Sequence, residues 1–360
     1  MRNVIPVLAA LLAVCVASPT SCDQAVPGGE SEFRAAWIAF TAPSQGPAES
    51  RTPDTRQQAR IAALGHIEAA VRTEPSNAAY QTSLAYICLA AGDYARAKEA
   101  STRAVELEPH GPLPHLLRGQ AEAALAQTEP ERAAERIGPS LEAFDRAARL
   151  DPTNALPLLE GAGVAFEVGR NDLARVRIDQ ALARTKIVLY RLPIPFDLHE
   201  ERAASVKAWQ YAQYGQWLEL LRRCQNASRG LLRFGAGKLQ AGEVEAAEEH
   251  SRKALAVGRL AGMAEPNVII TVNAGINMLE DAYVGLLQVA EAQESREAER
   301  WSGELGVLQV GRAQLYGVLQ AYTEALENSP PESVEGMLKA EAKQVEGILL
   351  GIGLTPAADK

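Results

Sequence analysis

Residues 74–109 read EPSNAAYQTSLAYICLAAGDYARAKEASTRAVELEP, and this stretch decides the fold. Its apolar residues recur at helical spacing on either side of Gly92, and a Glu-Pro pair closes it at each end, at Pro75 and at Pro109. Proline cannot continue a helix interior and glycine marks a turn, so the stretch predicts two helices joined by a tight turn. An Asp-Pro at Pro152 ends a third apolar-periodic run in the same way. The spacing from Pro75 to Pro109 is 34 residues. One helix pair of that size cannot bury its apolar face alone, so the pairs must stack on one another.

The next interval, Pro109 to Pro152, is 43 residues. The excess falls in Gln127 to Pro139, where Pro130, Gly138 and Pro139 are expected to break any continuous helix. The pattern persists on both sides, with Gly119 in the first helix and Phe144 and Ala147 in the second. Pro112, Pro114 and Pro157 stand at predicted helix starts, where a missing N–H costs nothing.

Read from Ala78, the first unit places Leu84, Ala85, Ala97 and Ala104 at small or apolar packing positions, Gly92 in the turn and Pro109 at the end. It resembles the tetratricopeptide repeat family, departing from it at Cys88 and Ser101. A third unit from Ala155 carries Gly161, Ala162, Gly169, Ala174, Ile178 and Ala181 in the same register, with Lys186 where the closing proline would stand. A degenerate unit over 228–261 offers Phe234, Gly235, Gly242, Ala247 and Ala254. The resemblance implies an all-α, right-handed solenoid of antiparallel helix pairs over 53–186, followed by longer helices over 187–360. It also implies a concave groove lined by first helices. The groove positions fall on Thr82, Tyr86 and Leu89, on Leu116, Gln120 and Ala123, and on Leu159, Gly163 and Phe166. These side chains are mostly apolar, and the Lys and Asn that clamp a peptide carboxylate in some members of the family are absent here. The groove therefore suits an amphipathic helix, from a partner protein or from this chain's own C-terminal helices.

The composition agrees with an Ala/Leu-rich helical stack. Of 360 residues, 47% are hydrophobic and only 5% aromatic, which allows a large core built on small side chains. A formal charge of −9 argues against nucleic-acid binding, which needs a basic surface. Lys186 to Tyr190 is the one short strand candidate and reads as a connector.

Arg2 and the apolar run from Val4 to Ala17 have the charge order of a secretory signal over 1–21, too short to span a bilayer. Cleavage is expected after Ala17, or before Cys22 with lipidation of that cysteine, although Pro19 fits the lipoprotein pattern poorly. Residues 22–52 read as a flexible linker with one short apolar helix around Phe33 to Phe40. Cys88 and Cys224 sit on apolar helix faces and read as inert core thiols.

In the second half, His199 to Arg223 carries Trp209, Tyr214 and Trp217 on one side, a helix face expected in the core. A helix after Pro266 is apolar at Ile269, Val272, Ile276, Leu279, Tyr283 and Leu286. Its other side bears Asn273, Asn277 and Asp281, which predicts hydrogen bonds to neighbouring helices or else a polar site. A seam of Trp301, Leu305, Leu308, Arg312, Leu315, Leu319, Tyr322 and Leu326 has coiled-coil-like spacing. The last helix, with Val334, Leu338, Ala342, Val345 and Leu349, is its expected partner.

No catalytic constellation is legible. His66, His110, His115, His199 and His250 show no metal-binding spacing, and neither a metal nor a cofactor is expected. Gly235-Ala236-Gly237-Lys238 lacks the Ser or Thr and the preceding strand of a phosphate loop. Glu245, Glu248, Glu249 and His250 read as a solvated face. The expectation is an exported, non-enzymatic scaffold that binds a protein or peptide segment in the groove, with a membrane reached only through the lipid anchor. The alternative is a homo-oligomer assembled through the 301–326 seam.

Overall fold

The structure is a computed structural model, and it describes residues 28–45, 52–194, 204–264, 269–328, 347–352 and 354. The expected signal over 1–21, Cys22 and most of the last helix lie outside these residues. The helices are α1 (Gly28–Gln45), α2 (Pro53–Thr73), α3 (Ala78–Ala91), α4 (Tyr94–Leu107), α5 (Pro112–Thr128), α6 (Ala133–Leu150), α7 (Leu156–Glu167), α8 (Asn171–Leu182), α9 (Ala204–Gln240), α10 (Val244–Gly262), α11 (Ile269–Ala292) and α12 (Glu297–Asn328). A 3₁₀ turn, Pro130–Arg132, joins α5 to α6. Among the described residues there is no strand, and Lys186 and Val188 make only isolated bridges. None of the described helices is long and apolar enough to cross a membrane.

Local chemistry sets the helix ends. The Asn77 side chain accepts hydrogen bonds from the Ala79 and Tyr80 amides and so opens α3, and Asp93 accepts from the Arg96 amide at 3.2 Å to open α4. Between α3 and α4, Gly92 has φ +83°, a left-handed conformation that side chains with a Cβ resist. Its amide donates to the Leu89 carbonyl and the Asp93 amide to the Cys88 carbonyl. The turn between α9 and α10 repeats this pattern: Gly242 has φ +79°, its amide donates to Leu239 and the Glu243 amide to Lys238. Pro75, Pro109 and Pro152 follow the last residues of α2, α4 and α6.

Gly138 and Pro139 do not break the helix, contrary to the expectation for 127–139: Pro139 lies inside α6. The carbonyl that its missing N–H cannot reach belongs to Glu135, an exposed residue. Ile137, Leu141 and Phe144 are buried on the opposite side, and the Ser140 hydroxyl donates to the Gly119 carbonyl at 2.8 Å. A Cβ at Gly119 would come within 2.8 Å of the Phe144 ring.

The chain forms two compact units, and the division does not follow the expected boundary at 186. Of the described residues, the N-terminal unit takes those within 28–168 and 190–220, and the C-terminal unit those within 169–189 and from 221 onward. The backbone therefore passes between the units more than once, which a linear reading of repeats does not anticipate.

In the N-terminal unit consecutive helices from α1 to α7 pack on one another. Ala85, Ala97, Ala104, Ala121 and Ala147 are fully buried, letting the helices approach closely. Within the linker expected over 22–52, the short helix expected around Phe33 to Phe40 is present and extends further in both directions. Gly28–Gln45 is an 18-residue helix, and its Trp37 is only 1% exposed. Phe33, Trp37 and Phe40 recur at i, i+4 and i+7 and bury aromatic area on α3, which outweighs the ordering cost of a Gly- and Ser-containing segment.

In the C-terminal unit α11 packs on both α10 and α12. Gly275 of α11 crosses Gly262 of α10 so closely that a Cβ on Gly275 would lie 2.3 Å from the Gly262 Cα. Residues 347–354 return to this core: Ile348 and Ile352 lie at Gly311, and Leu354 at Gly262.

Candidate functional site

The groove positions are brought together in the N-terminal unit, but not as an open surface. Leu116 and Leu159 are 0% exposed, and Thr82, Gln120, Ala123 and Gly163 are also buried. Gln120 on α5 donates to Glu160 on α7 at 3.2 Å, a buried polar tie between two first helices. Tyr86 stacks on Trp37 at 6.1 Å between ring centroids and meets Phe40 at 5.8 Å. Its phenol is pushed above the ordinary tyrosine range, chiefly by burial and secondly by the Glu219 carboxylate. Leu89 is half-buried and packs on the cluster of Cys88, Ala97 and Ala121, while Phe166 is half-buried at the end of α7.

These positions are thus mostly buried. An exposed apolar surface is costly in water, and most of these side chains are buried within the N-terminal unit. Leu192 and Ile194 are buried in the segment that follows α8. Tyr190 is buried, and the Asp151 carboxylate in the loop between α6 and α7 acts on its phenol. Asn154 braces that loop, donating to Asp151 at 3.0 Å and accepting from the Leu156 amide at 3.0 Å. Burial, then the Asp151 charge, raises the Tyr190 phenol, so the tyrosine stays protonated and can donate.

The second candidate, Asn273, Asn277 and Asp281 on α11, falls in the C-terminal unit. Asn273 accepts from the Tyr316 hydroxyl of α12 at 3.0 Å, and Asp281 accepts from Arg229 of α9 at 3.3 Å. Asn277 is half-buried between them. The neighbouring Glu280 accepts from Arg312 at 2.5 Å and from Gln309 at 3.4 Å. Two of the three residues therefore tie α11 to its neighbours, the first of the alternatives that the four-residue spacing left open.

The first half of the 301–326 seam packs within its own chain. Trp301, Leu308 and Leu315 are buried, with Trp301 against Tyr283 of α11 at 6.0 Å, and the interrupting cation Arg312 is neutralised by Glu280. The Leu319, Tyr322 and Leu326 side chains lie outside the described residues, as do those of the aromatic face at 204–218.

Three features have weaker sequence signals. Glu122 on α5 is buried between Lys98 of α4 at 2.9 Å and Arg136 of α6 at 3.4 Å, a charge triad across three consecutive helices. The glycine crossing of α10 and α11 is foreshadowed only by Gly258 and Gly262, four residues apart. His250, read with its acidic neighbours as part of a solvated face, is 2% exposed. Cys88 and Cys224 are buried free thiols, and burial pushes the Cys88 thiol up to about 12, where it is unreactive at neutral pH. Among the described residues, no three His, Cys, Asp or Glu side chains converge as metal ligands. No family model matches the chain, and no curated protein matches it.

Proposed function

We propose that the protein is a non-catalytic, exported scaffold of the tetratricopeptide kind, whose N-terminal unit holds a helical protein segment in the trough lined by α3, α5 and α7. The helix pairs with a left-handed glycine at the turn and an alanine-rich core support the repeat reading. One observation carries the binding reading: Leu116 and Leu159 of the trough are fully buried in a unit that the chain completes with its own residues 190–220. Within that segment, Tyr190 feels the Asp151 carboxylate of the α6–α7 loop and Glu219 acts on Tyr86. Apolar trough side chains that this unit keeps from water present the chemistry that an amphipathic partner helix would meet.

The test is photo-crosslinking from a benzophenone amino acid at Leu89 of the full-length chain, with the reactive group at exposed Ile61 as the control. A synthetic peptide of residues 204–220 added in excess is expected to crosslink at Leu89 and not at Ile61. Equal labelling at both positions, or none at Leu89, overturns trough binding. Export is tested separately. The mature N-terminus is expected after Ala17 or at Cys22, and in the second case palmitate label disappears in Cys22→Ala. A full-length chain retained in the cytoplasm with Met1 intact rejects export.

A further inference from the structure

His250 is a buried histidine in a site built against its protonated form. Neither ring nitrogen has a hydrogen-bond partner. The ring meets Phe234 of α9 edge-on at 5.0 Å between centroids, and a Cβ on Gly235 would come within 3.2 Å of the His250 Cβ. Three helices direct charge at it. Arg175 comes from α8, its guanidinium 5.0 Å from the Phe234 centroid; Lys238 comes from α9, 5.7 Å from the same ring; Lys253 and Glu249 come from α10 itself.

The surrounding acids are already engaged. Lys253 bonds Asp179 of α8 at 2.7 Å and Glu249 at 2.8 Å, Lys238 bonds Glu243 at 2.7 Å, and Arg175 bonds Asp172 at 2.5 Å. An imidazolium here would be a third-row cation behind three others, with no acceptor in hydrogen-bond reach. Burying a charge in that way is strongly unfavourable.

We propose that His250 is an acid-sensitive latch of the C-terminal unit, whose protonation drives the ring out of its site and loosens α8 from α9 and α10. The two contacts that hold α8 there, Asp179–Lys253 and Arg175 over Phe234, lie beside the ring and are the first to be disturbed. Burial, and secondly Arg175, lowers the affinity of His250 for a proton, against the opposing pull of Glu249. The folded state therefore binds the proton more weakly than the unfolded chain, whose histidines titrate near about 6.5. The stabilisation is complete above that pH and is lost as pH falls through it, by up to about tenfold in the folding equilibrium per pH unit.

The experiment is hydrogen exchange on the full-length chain at pH 7.5 and pH 5, corrected for intrinsic rates. Exchange over 171–182 is expected to rise about tenfold at pH 5 in the wild type and to keep its pH 7.5 protection in His250→Phe. His115 in the N-terminal unit is also buried and also held below the ordinary histidine range, so His115→Phe is the control and should leave α8 unchanged. Equal loosening of α8 in His250→Phe overturns the proposal. An NMR titration of the wild-type histidines decides independently of whether that variant folds: His250 titrating below 6.5 supports the latch, and a value at or above 6.5 rejects it.

Discussion

The two units use one turn and two different ways of packing. Gly92 in the N-terminal unit and Gly242 in the C-terminal unit have the same left-handed φ and donate to the same relative carbonyls. Around Gly92 the helices are 14 residues each, and fully buried alanines set their approach. In the C-terminal unit α11 has 24 residues and α12 has 32, and their packing depends on individual interlocks: the Gly262–Gly275 crossing, Tyr316 to Asn273 and Arg312 to Glu280. A short helix has its relation to the next helix fixed by its caps, because no residue is far from a turn. A long helix pair has many residues distant from any turn, so its register must be fixed along its length by side chains.

That contrast breaks most sharply at Leu159. Leu159→Glu places a carboxylate where the leucine is fully buried, and is expected to cost about 5 kcal/mol, enough to unfold the N-terminal unit. A melting temperature within a few degrees of wild type would return Leu159 to an open groove. Trp37→Ala should cost about 4 kcal/mol in the same unit, because a fully buried indole is lost from the α1–α3 contact. If denaturant titration shows less than about 1 kcal/mol, α1 is an appendage rather than part of the core.

In the other unit, Gly275→Val forces α10 and α11 apart and is expected to cost about 3 kcal/mol. Calorimetry should show the C-terminal transition lowered and the N-terminal one unmoved; an equal shift of both would deny that the units are separately cooperative. The smallest effect is expected for Tyr190→Phe, about 1 kcal/mol, from removing a buried hydroxyl near the Asp151 carboxylate. Faster proteolysis between residues 183 and 203, without a change in C-terminal stability, would locate that loss in the connector.

The ends of the short helices and the small residues at their crossings were legible in the sequence, because they are decided within one or two turns of chain. Pro75, Pro109 and Pro152 stop helices through their own rings, Gly92 and Gly242 reverse them by lacking a Cβ, and Ala97 and Ala104 are small whatever surrounds them. Periodicity likewise marked Leu116 and Leu159 as belonging to an apolar face. It did not say what covers that face, since a helical pattern records polarity and not the identity of the neighbour. For the same reason it put His250 among solvated acids, although the ring turns inward to Phe234 while Glu245 and Glu249 stay exposed. Pro139 is tolerated inside α6, where the carbonyl it strands belongs to the exposed residue Glu135 and Phe144 is held against Gly119, and only the tertiary packing decides that. The described residues of 190–220 fall in the N-terminal unit for a comparable reason: Leu192, Ile194 and Leu220 are buried there, and apolar surface is buried against whichever part of the chain can reach it, whatever the sequence distance.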